Sequence, residues 1–359
     1  MILLSVAALS VAVAVAVGEG DRPHPDPLDP IHAFIEAACR LGRADLYRGF
    51  PGQGLEVIEA VLPLGTRSDV SPIDRAHLAI ARGELEHYRA SLAGTGQEGA
   101  IELLRTALAA AEASSDPSAT ADAADLLGLA LYSQAFENGA FDAPLPHLDR
   151  ALAIRRRIDD RRGIAETLFH LGLVHQNRSS ATAADRKRAQ ELYREALPIA
   201  RDGAFEVEQS YLERHIAAEE EIRGNLDAAQ AGFARSLALR RQAKYTIYLA
   251  PALLALGSIH ASKGERAEAG ASYREALATA REIGAIRFVV RSHLALAELA
   301  EKQGDRETAS AEARSALEAA RAAGYGDGAK EAIAVVERLA SPPPATTSGP
   351  SGASPRRRP

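Results

Sequence analysis

The chain has 359 residues, 47% of them hydrophobic and 25% charged, with a formal net charge of −6. A mildly acidic body argues against nucleic acid as a partner, because phosphate binding needs a basic surface. Cys39 is the only cysteine, which excludes an intramolecular disulfide and a thiolate zinc centre. It falls in the apolar run IHAFIEAACRLG and reads as a buried, inert thiol.

Residues 1–17, MILLSVAALSVAVAVAV, are apolar apart from Ser5 and Ser10. The run is shorter than the ~20 residues that span a bilayer comfortably. It fits a signal-peptide core ending in the small-residue triplet A-V-A, although no Lys or Arg precedes it. Residues 1–18 are therefore read as a signal peptide or membrane anchor, and the protein as exported (periplasmic or extracellular) or membrane-anchored through residues 1–17. A mis-assigned start would make it cytoplasmic instead. Residues 19–30 form a Pro-rich linker, in which the prolines remove backbone donors. Residues 31–70 hold two helical periods, IHAFIEAACRLG and GLEVIEAVLPLG, and read as an N-terminal helical pair. Whether this pair is a further repeat or a cap stays open.

From residue 71 the chain repeats itself. Gly224, Gly264 and Gly304 are 40 apart, and Ala229, Ala269 and Ala309 each follow five residues later. Phe233, Tyr273 and Ala313 come next in the same register. Two earlier units keep these marks with longer turns, through Gly172, Ala189, Tyr193 and Ala196, and through Gly128, Leu148 and Ala151. A weaker unit holds Ala100, Leu104 and Ala107. Within each unit apolar residues recur at three and four, the helix period. A polar turn containing Gly then stops the first helix and a second periodic run follows. Small residues let the paired helices approach, and Tyr193, Phe233 and Tyr273 fill the space beside them.

This pattern resembles the tetratricopeptide repeat (TPR) family. Its Leu-Gly pair stands here as Leu127-Gly128, Leu171-Gly172 and Leu256-Gly257. Its small–aromatic–small trio stands as Ala189, Tyr193, Ala196 and as Ala269, Tyr273, Ala276. The early Trp is missing, the proline closing the second helix is mostly missing, and the period is 40–45 rather than ~34. The longer period is similar to long-helix variants such as the kinesin light chain type. The resemblance implies an all-α fold, a right-handed α-solenoid of stacked antiparallel helix hairpins (a TPR-like superhelix). Residues 71–324 would be an array of about six hairpins and residues 325–340 a C-terminal capping helix. The tail 341–359, rich in Pro, Ser and Arg, is expected to be disordered.

No motif for chemistry stands out. His170 and His175 are five apart, off a common helix face, and there is no H-E-x-x-H, G-x-S-x-G or phosphate loop. Gly94, Gly96 and Gly99 spell G-x-G-x-x-G, but a helical period precedes them where a dinucleotide site needs a strand. They read as the turn of an early repeat. No catalytic residue, cofactor or metal is expected, and the chain is read as not an enzyme. The resemblance implies instead that the first helices of successive repeats line a concave groove for a protein or peptide ligand. By position this selects Tyr132, Phe169, Gln176, Asn177, Tyr211 and Arg214, with Asp125 and Glu166 also at groove positions. The Lys and Asn that grip chaperone tails in the family are replaced by Phe169 and Leu173 in one repeat, and by Arg214 and Ala218 in the next. The reading is a non-enzymatic helical-repeat adaptor or scaffold. The alternatives are a peptide-sensing or signalling module, as in the sensor half of a membrane receptor, and more remotely an all-helical enzyme.

Overall fold

A computed structural model describes residues 30–178 and 181–341. The expected leader or anchor at 1–18, the linker before residue 30 and the tail after residue 341 lie outside the described residues. The described residues form fifteen α-helices and no strand. The helices pair in chain order: α1 (Pro30–Arg48) with α2 (Pro51–Val61), α3 (Pro72–Ala93) with α4 (Glu98–Ser114), and α5 (Pro117–Asn138) with α6 (Leu145–Arg157). Next come α7 (Arg161–Asn177) with α8 (Ala183–Asp202), α9 (Glu206–Ile222) with α10 (Leu226–Gln242), and α11 (Leu249–Ser262) with α12 (Arg266–Glu282). The last pair is α13 (Ile286–Lys302) with α14 (Arg306–Ala322), and α15 (Gly326–Ala340) covers it.

Local chemistry sets the helix ends. Ser71, Asp116 and Asp160 cap α3, α5 and α7 by accepting a backbone N–H three residues on. Thr182 and Asp185 form a reciprocal capping box on α8, and each such cap satisfies a donor the helix leaves unpaired. From α8 onward the turns keep a strict beat. A residue with positive φ recurs at Ala204, Gly224, Lys244, Gly264, Gly284, Gly304 and Gly324, every 20 residues. The beat arises because helices of 17 residues alternate with three-residue turns. The sequence shows this beat from Gly264 through Gly284 and Gly304 to Gly324, whereas Ala204 and Lys244 hold the left-handed position without being glycine, at φ of 52° each.

Packing within each hairpin sets a small residue against a large one. A Cβ added to Gly83 would stand 2.6 Å from Leu104, one on Gly128 2.7 Å from Leu148, and one on Gly257 2.5 Å from Tyr273. At Gly172 it would stand 2.2 Å from the Tyr193 ring. The stacked hairpins curl until the array meets its own start. Helices α1 and α2 pack into the same apolar cluster as Tyr245, Ile247, Leu253, Ile283 and Val289. Tyr47 of α1 sets its ring edge-on to Tyr245 at 4.8 Å, and its hydroxyl accepts from Arg162 of α7 at 3.2 Å. Gly94, at the end of α3, abuts the Tyr325 ring at the start of α15, where an added Cβ would lie 2.7 Å away. The result is a single closed turn with the first helices α3, α5, α7, α9 and α13 facing its centre.

Two substitutions test this packing in opposite directions. Gly172→Ala should destabilise by roughly 1–3 kcal/mol through overpacking against Tyr193, although Ala is the better helix former. Lys244→Gly should stabilise by up to ~1 kcal/mol by relieving a left-handed side chain. Urea unfolding of both variants checks them, and a stabilised Gly172→Ala or a destabilised Lys244→Gly would contradict the account.

Candidate functional site

The closed turn encloses a cavity of about 690 Å³, within the usual range for small-ligand pockets. Helix α3 contributes His87, Tyr88, Ser91 and Leu92, and α5 contributes Leu129, Tyr132, Ser133 and Phe136. Phe169, His170, Leu173 and Asn177 come from α7, and Tyr211, Arg214 and His215 from α9. Arg240 of α10, Tyr248, and Arg287, Phe288 and Arg291 of α13 close the far side, with Tyr325 and Asp327 at the seam. The cavity is thus shared by residues spread over most of the chain.

The structure brings together Tyr132, Phe169, Asn177, Tyr211 and Arg214 on this wall. Phe169 stacks flat on Tyr211, with centroids 4.9 Å apart and planes at 9°. Tyr211 in turn meets Tyr245 and Tyr248 edge-on, and its hydroxyl lies 2.5 Å from that of Tyr245. This aromatic wall is braced from behind by Tyr47 of α1. Gln176 is not part of the lining. Its Oε1 accepts from the Tyr193 hydroxyl at 2.7 Å and from His215 Nδ1 at 3.0 Å, so it orients the wall from outside. At the mouth, Phe136 is 60% exposed and stands edge-on to Tyr132 and Phe141. It lies in the last turn of α5, beside the enlarged turn that leads to α6.

Asp125 and Glu166 are not in the cavity lining. Asp125 is 1% exposed and sits in an ion network centred on the buried Arg155. The Arg155 guanidinium reaches Asp122 at 2.8 Å, Asp125 at 3.4 Å and Glu166 at 3.3 Å, and donates to Thr167 and the Gly163 carbonyl. His170 Nδ1 donates to Asp125 at 2.8 Å. Ligand atoms of Asp125, Glu166 and His170 lie within 4.8 Å of one another, a juxtaposition across two helices that spacing along one helix cannot show. Arg155 already supplies the positive charge among them, so the chemistry of the set does not suit a metal cation.

The cavity histidines divide by environment. Burial lowers the His170 pKa, but Asp125 outweighs it, and the net direction is up. Burial also pushes the Asp125 carboxyl up, while His170 and Arg155 prevail and hold it at about 2. Burial pushes His87 down to about 4, only partly offset by its hydrogen bond to Gln97. Burial, then Arg214 and Arg240, pushes His215 well below the usual range. Its Nε2 accepts from Arg214 at 3.1 Å, which fits the neutral ring. Burial and then Arg214 lower Arg240 to about 10. Burial and then Arg291 also lower Arg214.

The neighbours of this architecture can now be given. No family model matches the chain, and no curated protein matches it in sequence. Among solved structures it is similar to a Rap protein complexed with competence and sporulation factor, at 12% identity and TM-score 0.59, over 94% of this chain and 93% of that one. It is likewise similar to the Rap conjugation gene regulator of the plasmid pLS20 in complex with a Phr peptide (15% identity, TM-score 0.57, 90% and 81% of the two chains). A third likeness is to a STAND protein with a tetratricopeptide repeat sensor from Pyrococcus horikoshii, at 13% identity and TM-score 0.56, over 93% of this chain and 48% of that one. The fold is a TPR-type superhelix. Its TPR marks meet inside the hairpins, Gly172 against Tyr193, Gly257 against Tyr273 and Gly128 against Leu148.

Sequence reasoning missed His87, Arg240, Tyr248 and Arg287. Arg240 lies on a second helix, where the TPR pattern assigns no groove residue, and its RR pair reads as a solvated face. Tyr248 sits in a short 3-10 turn, Thr246–Tyr248, which carries no helical period.

The histidines predict a two-sided pH dependence. His87 and His215 are neutral when folded and take up protons on unfolding, so their contribution is lost as pH falls below their unfolded value of ~6.5, at up to about 1.4 kcal/mol per pH unit each. His170, raised when folded, contributes stability that is full below ~6.5 and is lost as pH rises through its folded pKa. Guanidinium unfolding from pH 4.5 to 8 should show His87→Gln flattening the acid limb and His170→Gln flattening the limb above pH 6.5. Unchanged slopes in both variants would contradict these assignments.

Proposed function

We propose that the chain is a non-enzymatic helical-repeat adaptor that takes a short peptide into the central cavity of its superhelix. The observation that carries this reading is the cavity itself, walled by aromatic rings and cationic and amide groups from successive first helices. Rigid aromatic surface with a few fixed polar groups is the usual composition of peptide sites and interface hot spots. Hydrogen bonds fix the polar groups of the cavity, His170 to Asp125, His87 to Gln97 and His215 to Gln176. Two of the structural neighbours are complexes, one with competence and sporulation factor and one with a Phr peptide, which agrees with a peptide ligand.

A sensing role is the second reading, and ring closure favours it. The array meets its start through the apolar cluster that α1 and α2 share with Ile247, Leu253 and Ile283, through Tyr47–Tyr245, and at the separate seam Gly94–Tyr325. A peptide bridging opposite walls would bias the open and closed forms by its differential affinity for them. Export, or membrane attachment through residues 1–17, is part of the proposal and rests on the sequence of that segment.

The test is selection of a displayed random hexapeptide library against the purified protein. Peptides recovered should lose about tenfold in affinity for Phe136→Ala, consistent with loss of one aromatic anchor. They should bind Ile222→Ala unchanged, because Ile222 is equally exposed but lies outside the cavity lining. Failure to enrich any peptide, or equal loss in both variants, would contradict the reading.

A further inference from the structure

The cavity holds four arginines, Arg214, Arg240, Arg287 and Arg291, drawn from α9, α10 and α13. None has a carboxylate within ion-pairing distance among the described residues. Arg214 makes one hydrogen bond, to His215, and its buried Nε has no partner. Arg240, 1% exposed, donates to Ser210 and to the Tyr248 carbonyl and lies over the Tyr211 and Tyr248 rings at 5.3 and 5.7 Å. Arg287 and Arg291 are exposed to the cavity side and make no hydrogen bond or ion pair among the described residues. Two acids line the same space. Asp327 is engaged by Lys330 at 3.0 Å, and Glu137 stands exposed at the mouth beside Phe136.

This is unusual within the protein's own chemistry. The chain carries 48 acidic residues against 42 basic ones, so unpaired guanidinium groups do not follow from bulk charge. Where the fold buries an arginine for structure, it surrounds it with acids, as at Arg155 with Asp122, Asp125 and Glu166. In the cavity, Arg214 and its neighbours instead repel one another in a confined space with low-dielectric walls. Such walls concentrate the field and raise the local concentration of oppositely charged ligand. A guanidinium with open donors is suited to carboxylates, which it can hold through two parallel hydrogen bonds.

We infer that the occupant of the cavity is an acidic peptide, whose Asp or Glu carboxylates satisfy Arg214, Arg287 and Arg291 while its apolar side chains lie on Tyr132, Phe136 and Tyr211. The inference rests on the peptide-binding reading and specifies its ligand class. Arg240, fixed by Ser210 and Tyr248, supplies charge from behind the wall.

The test uses three pools of fluorescein-labelled hexapeptides with Asp/Glu, Asn/Gln or Lys/Arg at three positions and random residues elsewhere, titrated against the full chain by anisotropy. The acidic pool should bind at least tenfold tighter than the amide pool, and the preference should shrink in 0.5 M NaCl. In Arg287→Gln/Arg291→Gln, both at exposed positions, the preference should fall below about threefold with an unchanged melting temperature. Equal binding of the acidic and amide pools would overturn the inference and leave the peptide site standing. Binding of no pool would overturn both. Displacement of the acidic pool by inorganic phosphate alone at equal concentration would overturn the assignment of a peptide carboxylate.

Discussion

The close approach of the two helices in each hairpin governs the rest of this structure. Gly128 takes Leu148, Gly172 takes Tyr193 and Gly257 takes Tyr273 at distances no Cβ would allow. A hairpin so packed still has apolar faces it cannot bury alone, and it stacks on its neighbours. The 20-residue beat of left-handed turns holds those stacked hairpins in a common register. The stacked hairpins curve as they follow one another, and the curvature brings α15 round to the end of α3. The cavity is the space that this single turn leaves at its centre.

Polar groups are treated differently on the two sides of that wall. Toward the hairpin interiors the ionic groups are matched, with Arg155 held among carboxylates and Glu213 between Arg201 and Arg235. Burying unpaired charge is costly, so matching is the expected solution. Toward the cavity the arginines have no carboxylate within ion-pairing distance among the described residues, and His215 is kept neutral with its one acceptor turned to Arg214. The contrast separates groups that hold the fold from groups available to a ligand.

Much of the fold was legible in the sequence, because repeats announce themselves through self-similarity. The glycines at 224, 264 and 304 and the Leu-Gly pairs lie in the same local context each time. The 20-residue beat is legible at Gly264, Gly284, Gly304 and Gly324, but its extension back to residue 204 is not, since nothing in the identity of Ala204 or Lys244 signals a positive φ. The G-x-G-x-x-G run was correctly referred to a turn: Gly94 caps α3 in the left-handed region, while Gly99 already lies in the first turn of α4. Of the candidate groove residues, Tyr132, Phe169, Asn177, Tyr211 and Arg214 could be placed by register alone, because first-helix position predicts the inward face. Gln176 could not, since its engagement by Tyr193 and His215 depends on neighbouring helices. Ring closure was beyond reach for the same reason. Tyr47 meets Tyr245, and Gly94 meets Tyr325, across separations that leave no periodic trace.

The central claim is that one cavity is built jointly by the inward helices of the whole superhelix. Hydrogen exchange with and without a selected acidic hexapeptide tests it most directly. The account predicts added protection at once in α3, α5, α7, α9 and α13, with the outer helices α4, α8 and α12 unchanged. Protection confined to one hairpin, or to the outer helices, would contradict it.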